Sequence, residues 1–284
     1  MKQVHEAPES LFWYWINERH QIYLRKEAKR PKPWTTDPIL RDYKFTNVFR
    51  ELDKTTVWMR KYLTGYNDGA SSDRMIFNCC VFRLFGTIEM SDAVGWIHNW
   101  RPKEVIDIAK SRLERGEKVF TGAYIVTNGG LREPKVDVVV NRYLTPIWIH
   151  REKIASVAYN KSTLYDTWNE LHKYPGFGGG GFMAYEVVSD LRWTHVLKLA
   201  RDKMTWANAG PGCLRGLRRL FPDMKKFASN STMMKLLERS RKNIKDYVPQ
   251  MEMRDIEHSL CEFDKYCRVK FGEGTPRSRY NGGA

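Results

Sequence analysis

Long apolar runs are missing from this sequence: the longest, residues 11–16 (Leu-Phe-Trp-Tyr-Trp-Ile), is only six residues. A helix that crosses a bilayer needs roughly 18–20, so no membrane association is expected. The first ten residues, MKQVHEAPES, put no basic stretch ahead of an apolar one, so no secretory signal is read and a cytoplasmic location is expected. Cysteine is scarce and odd in number, at positions 79, 80, 213, 261 and 267. There is no CxxC, and five cysteines in a chain this long do not make a disulfide framework. His258, Cys261 and Cys267 match no common zinc module, so neither a metal nor another cofactor is expected.

Acidic residues are also few. Thirty-three Asp and Glu stand against 48 Lys and Arg, a net charge of +15. A field of that sign concentrates polyanions, and nucleic acid is the leading partner because phosphate neutralisation dominates its binding. Hydrophobic residues make up 42% and aromatics 13%, enough for a sizeable core and too much for global disorder. A length of 284 residues fits one large domain or two small ones.

Helical patterns dominate. After an amphipathic, basic first helix, Arg30-Pro31-Lys32-Pro33 breaks the chain, and Thr35-Thr36-Asp37-Pro38 offers a cap and a first-turn proline. Apolar residues at 45, 48, 49, 52, 56, 59 and 63 predict one buried helical face. Residues 73–85, 91–100, 101–116, 147–173, 213–220, 229–248 and 253–269 read as further helices, with another opening at Phe182. Residues 119–127 and 135–143 are rich in Val, Tyr and Thr around Asn128-Gly129-Gly130, which predicts a short β-hairpin insertion at about 117–145. The expected division is an N-terminal helical extension (1–40), a main helical domain (41–270) and a flexible tail (271–284).

Two glycine corners stand out. In Tyr174-Pro175-Gly176-Phe177-Gly178-Gly179-Gly180-Gly181-Phe182 one helix ends and another begins. Glycines let the backbone approach a ligand, and the free N–H groups of the new helix suit a phosphate. No Lys-Ser or Lys-Thr follows, so this is not a Walker loop. The order is like that of a helix-hairpin-helix, which grips DNA phosphate through backbone amides; a corner that only turns the chain is the plainer reading. Gly210-Pro211-Gly212 repeats the theme, followed by Arg215, Arg218 and Arg219 on one helical side. Gly176, Gly178, Gly179, Gly180, Gly181, Gly210, Gly212 and these arginines are the candidate DNA contacts.

Five short motifs occur in order: Asn47-Val-Phe-Arg-Glu-Leu-Asp53; Phe82-Arg83-Leu84-Phe85; Gly181-Phe182-Met-Ala-Tyr185 with Asp190-Leu191; Gly210-Pro-Gly212 with Arg215-Gly216-Leu217; and Leu260-Cys261-Glu262-Phe263 with Lys265-Tyr266. Together, over residues ~40–270, they resemble the thymine-hypermodification family of phages. Its members include alpha-glutamyl/putrescinyl thymine pyrophosphorylases, amino acid:DNA transferases and the helical part of 5-hydroxymethyluracil DNA kinases. The sequence departs from the family pattern at Gly86, where Asn is expected.

The resemblance implies a mainly α, helix-hairpin-helix fold like that of DNA glycosylases. It also implies transfer of an amino acid, glycine foremost, onto 5-phosphomethyl-deoxyuridine in double-stranded DNA, which would protect a phage genome from host restriction. Free amino acid and other base-modification enzymes are then partners. Such chemistry needs the base out of the stack, a carboxylate to take the amine's proton, and cations for the departing phosphate. The candidates for the base are Asp190, Asp202, Asp53 and Glu257; those for the phosphate are Arg50, Arg83, Lys265 and Asn47. Cys261 is either an adding nucleophile at C6 of the uracil ring or a buried structural thiol. The rival functions are a DNA base glycosylase or lyase, although residues 175–184 hold no lysine, and a non-catalytic DNA-binding module.

Overall fold

The three- and four-residue spacing of apolar side chains carries through to the structure, a computed structural model that describes residues 8–245, 250–276 and 279. In chain order the helices are α1 (Pro8–Glu27), α2 (Pro38–Asp42), α3 (Lys54–Thr64), α4 (Ser72–Phe85), α5 (Ile88–Val94), α6 (Pro102–Glu114), α7 (Lys135–Asp137), α8 (Thr145–Lys161), α9 (Leu164–Leu171), α10 (Phe182–Leu191), α11 (Pro211–Leu220), α12 (Ser229–Asn243) and α13 (Met253–Lys270). A π-helical stretch, Val138–Leu144, joins α7 to α8, and single 3₁₀ turns lie at Arg50–Leu52 and Lys226–Ala228. Among the described residues no helix is long and apolar enough to cross a membrane.

The chain divides into two units. The first takes residues 1–53 and 203–284, and the second takes residues 54–202. This differs from the division read in the sequence. Residues 1–40 are not set apart, because α1 and α2 both pack on α13. Of the tail expected at 271–284, residues 277, 278 and 280–284 lie outside the described residues.

In the first unit α13 is the hub. Phe12 of α1 meets Phe263 edge-on at 5.2 Å. Asp37 caps α2 as its sequence suggests, accepting from the Ile39 and Leu40 amides, and its other oxygen accepts from the hydroxyls of Tyr14 and Tyr266. Helix α11 lies closest to α13, where a Cβ on Gly216 would stand 2.2 Å from the Leu260 carbonyl oxygen.

The second unit is built around α4, whose residues from Met75 to Phe85 are all buried. It packs against α8, α10 and α5. Helix α4 ends at Gly86, which has a left-handed φ of 71°. A side chain there would strike Thr121 and Tyr124, so the asparagine of the family pattern has no room.

Three sequence expectations are corrected. The β-hairpin does not form, and among the described residues there is no strand, only an isolated bridge between Tyr43 and Arg279. The turn at Gly129 and Gly130 is present, but residues 135–144 coil instead. Val136, Val139, Val140, Tyr143 and Leu144 are buried while Asn141 and Arg142 are exposed, a helical period that overrides the β preference of valine. The helix predicted from Phe45 starts only at Lys54. Phe45, Val48 and Phe49 are buried as expected, but the backbone amides between them are taken by carboxylates rather than by a helical ladder. The helix expected at 91–100 ends at Val94, because Gly95 turns left-handed.

Candidate functional site

The first and last of the five motifs meet in the first unit. Segment 44–53 runs along a polar stripe of α13 formed by Asp255, His258, Glu262 and Lys265. Helical spacing puts these residues on one side, and the opposite side buries Ile256, Leu260 and Phe263. The stripe holds the segment at several points. The Thr46 amide donates to Glu262 Oε2 at 3.1 Å, and Thr46 Oγ1 lies 2.6 Å from His258 Nε2. The Arg50 amide donates to Asp255 Oδ1 at 3.1 Å. Lys265 Nζ donates to Glu262 at 2.6 Å and to the Lys44 carbonyl at 3.0 Å.

Within the segment, the Asn47 amide donates to Asp53 Oδ1 at 3.2 Å, and Arg50 forms an ion pair with Asp53. From α1 the buried Arg19 donates to the Phe45 carbonyl and to Asn47 Oδ1, the latter at 2.7 Å. Four of the candidates, Asn47, Arg50, Asp53 and Lys265, are thus gathered in one polar cluster. The sequence reading missed His258, Arg254, Asp255, Glu262 and Arg19. The four-residue steps 254, 258 and 262 were the available signal, since they put three polar residues on one helical side.

The electrostatics centre on His258. Burial, followed by the positive charges of Arg50, Arg254 and Lys265, holds its pKa well below the usual histidine value. The imidazole is therefore neutral at pH 7, keeping one nitrogen lone pair amid cations. Glu257 lies outside this group. Its charge adds to burial in raising the thiol pKa of Cys213 and Cys261. Cys261 is pushed up to about 12, which leaves almost no thiolate for addition to a uracil ring.

Motifs four and five also meet. Gly212 faces Cys261, where a Cβ would stand 2.3 Å from Sγ, so packing alone accounts for that glycine. Gly210 is the N-cap of α11 and has open space beside it. Arg215 and Arg219 each donate to the buried Asp264 at 2.8 Å, and Arg219 also pairs with Glu273. Arg218 is exposed.

Motifs two and three meet in the second unit. Arg83 and Asp190 form a buried bidentate pair at 2.5 and 2.6 Å, and Arg83 also reaches Glu186 at 2.7 Å. Two carboxylates on one guanidinium leave it unsuited to hold a phosphate, and Asp190 has no exposed surface. Asp202 accepts from the Leu164 and Tyr165 amides at 2.7 and 2.9 Å, closing the first turn of α9. Asp190 and Asp202, both candidates for the base, therefore have structural partners.

The corner itself joins α9 to α10. Gly176 and Gly181 have positive φ, and a Cβ would strike Tyr143 and Trp168 respectively. Gly178, Gly179 and Gly180 are exposed. Trp168 Nε1 donates to the Gly181 carbonyl at 2.9 Å, and a His172 ring nitrogen lies 2.9 Å from the Gly179 carbonyl, so the turn is fixed by side chains of α9.

Comparison with known proteins agrees with the motif order. The family described as "5-hmdU DNA kinase, helical domain" matches residues 8–275. The 5-hmdU DNA kinase of Bacillus phage SP10 is 31% identical over 283 residues, an alignment covering 89% of this chain and 44% of that protein. The chain thus spans less than half the length of that relative. No solved structure matches. The chain belongs to the family of the helical domain of 5-hmdU DNA kinases.

Proposed function

We propose that this protein acts in thymine hypermodification of phage DNA, transferring an amino acid, glycine foremost, to 5-phosphomethyl-deoxyuridine in the duplex. The amine nitrogen attacks the 5-methylene carbon. A C–N bond forms, the C–O bond to phosphate breaks, and inorganic phosphate leaves with the bonding electrons. The ammonium proton must go to a base on the protein.

The observation that carries the reading is the neutral His258 set among Arg50, Arg254 and Lys265. Those cations suit the dianionic leaving group. A bound phosphate would also offset the charges that depress His258, so its basicity would rise when substrate arrives. Asp53, paired with Arg50 inside the cluster, and Glu257 remain the carboxylate candidates of this unit, while Asp190 gives way because it is fully buried on Arg83 and Asp202 because both its oxygens close the first turn of α9. Family membership supports hydroxymethyluracil in DNA as the chemical context, and the SP10 relative is named as a DNA kinase. These residues contain no Walker loop, so binding a nucleoside triphosphate is not a role proposed for them. A helix-hairpin-helix grip through Gly178, Gly179 and Gly180, with the target base flipped out of the stack, completes the reading.

The test is mass spectrometry of nucleosides after the protein is incubated with phosphomethyl-uracil DNA and mixed amino acids. The expected product is 5-(carboxymethylaminomethyl)-deoxyuridine, glycine joined through its nitrogen, with release of inorganic phosphate. Abasic sites would support the glycosylase rival, and unchanged substrate with retained DNA binding would support a non-catalytic module.

A further inference from the structure

The turn between α5 and α6 carries a second feature, unrelated to the five motifs. Asn78 of α4 clamps it: Nδ2 donates to the Ile97 carbonyl at 3.0 Å, and Oδ1 accepts from the Ile97 amide at 2.8 Å. With Ile97 pinned and buried, its neighbours Trp96, His98, Asn99 and Trp100 are presented around a cavity of about 210 Å³. Arg101, Glu104 and Val105 also line it.

The two indoles are held in place. Trp96 stacks on Tyr66 with ring centres 3.9 Å apart and planes 17° apart, and Tyr62 lies 5.8 Å away. Tyr62 in turn stacks on Trp58, and Trp58 on Phe82, so the ring is backed by an aromatic ladder. Trp100 meets Phe77 edge-on at 4.9 Å, and its Nε1 donates to Thr145 Oγ1 at 2.9 Å. The side chains of His98 and Asn99 are exposed and make no hydrogen bond among the described residues.

The chemistry narrows the ligand. Pockets for drug-sized molecules run to about 300–1,000 Å³, so this one suits a single flat ring system. Immobilised indoles favour a π-face. Asn99 offers one donor and one acceptor in a plane, the complement of a pyrimidine imide edge. Arg101, 67% exposed at its side chain, stands beside the opening for a phosphate, and its exposed partner Glu104 holds it only weakly. Free glycine has no ring to stack and gains little here.

We propose that this cavity takes an unstacked pyrimidine of a DNA strand, making it a nucleotide subsite of the second unit. The proposal rests on the reading that the protein binds DNA.

The experiment measures binding of the full chain to a fluorescein-labelled oligothymidylate and to the same strand as a duplex, by polarisation. Asn99→Ala and Arg101→Ala alter only exposed side chains. Trp96→Leu removes the stacking face and is accepted only if its thermal midpoint stays near that of the wild type. Loss of one stacked base typically weakens binding about tenfold or more, so Trp96→Leu is expected to raise the single-strand Kd by that factor. Asn99→Ala is expected to raise it severalfold, and excess thymidine 5′-monophosphate to displace the labelled strand. Wild-type affinity in both Asn99→Ala and Arg101→Ala, with no displacement by the mononucleotide, overturns the subsite and leaves the DNA reading standing. A wild-type protein that binds neither strand nor duplex overturns the DNA reading and the subsite with it.

Discussion

Asp190 lays both carboxylate oxygens on the Arg83 guanidinium, at 2.5 and 2.6 Å, where neither side chain has appreciable exposure. Removing one partner of such a pair leaves an uncompensated buried charge and typically costs about 3–5 kcal/mol. Arg83 keeps Glu186 as a second partner, so Asp190→Asn should fall near the lower figure. The expected outcome is a large drop in the urea midpoint, with whatever activity the folded fraction retains. A variant of wild-type stability that binds DNA but has lost turnover would return Asp190 to the chemistry.

Gly216 decides how closely α11 can approach α13. In an exposed helix, Gly→Ala stabilises by up to about 1 kcal/mol. Here the added carbon would stand 2.2 Å from the Leu260 carbonyl oxygen, which is backbone and cannot swing away. Gly216→Ala should therefore destabilise, by about 1–3 kcal/mol or more, through forced separation of the helices. Chemical denaturation gives the sign directly, and a stabilised variant would refute the close approach.

What the sequence made legible is whatever local chemistry dictates. The Asp37-Pro38 cap could be read because cap residue and first-turn proline sit side by side. The valines at 136, 138, 139 and 140 carry a β-propensity that points to a strand, but the three- and four-residue spacing of 136, 139, 140, 143 and 144 decides for a helix. Segment 44–53 looked helical because its apolar spacing is helical. Its competitors for the backbone amides, Asp255 and Glu262, lie more than 200 residues away. The same distance hid the site. Arg83 announced itself as a charge in apolar company, but its partner 107 residues on could not be picked from a sequence. His258 belonged to no motif, and only its four-residue steps to Arg254 and Glu262 marked the polar side of α13.

His258 should leave a signature in the pH dependence of stability. Its folded-state pKa lies below the unfolded value of about 6.5, so the unfolded chain binds the proton first as pH falls. Its contribution is fully present above about pH 6.5 and is lost progressively below that, until the folded protein is protonated too. His195, also lowered by burial and by Lys198, acts in the same direction. The comparison is therefore between wild type and His258→Gln, by urea denaturation at pH values on either side of that window. The wild type should lose more stability on acidification than the variant. Equal losses would show that burial and the neighbouring cations do not hold the imidazole neutral.

The glycine corner offers the cleanest separation of folding from binding. Gly176 and Gly181 cannot be used, since positive φ and the rings of Tyr143 and Trp168 forbid a side chain there. Gly178 and Gly180 differ. Neither has a positive φ, a Cβ on Gly180 meets nothing within 4 Å, and one on Gly178 meets only the His172 carbonyl at 3.5 Å. Valine at either position should change stability by about 0.5 kcal/mol or less, as at other surface positions away from special features. It would still stand between the backbone and an approaching phosphate. A hydrogen bond to a charged group contributes about 1.5–3 kcal/mol, so loss of one such contact should weaken duplex binding about tenfold or more. Thermal melting and titration with a labelled duplex, run on the same preparations, supply both readouts. If the dissociation constant stays put while the fold is intact, the corner only turns the chain, and the DNA grip must be sought at Arg215 and Arg218 on α11.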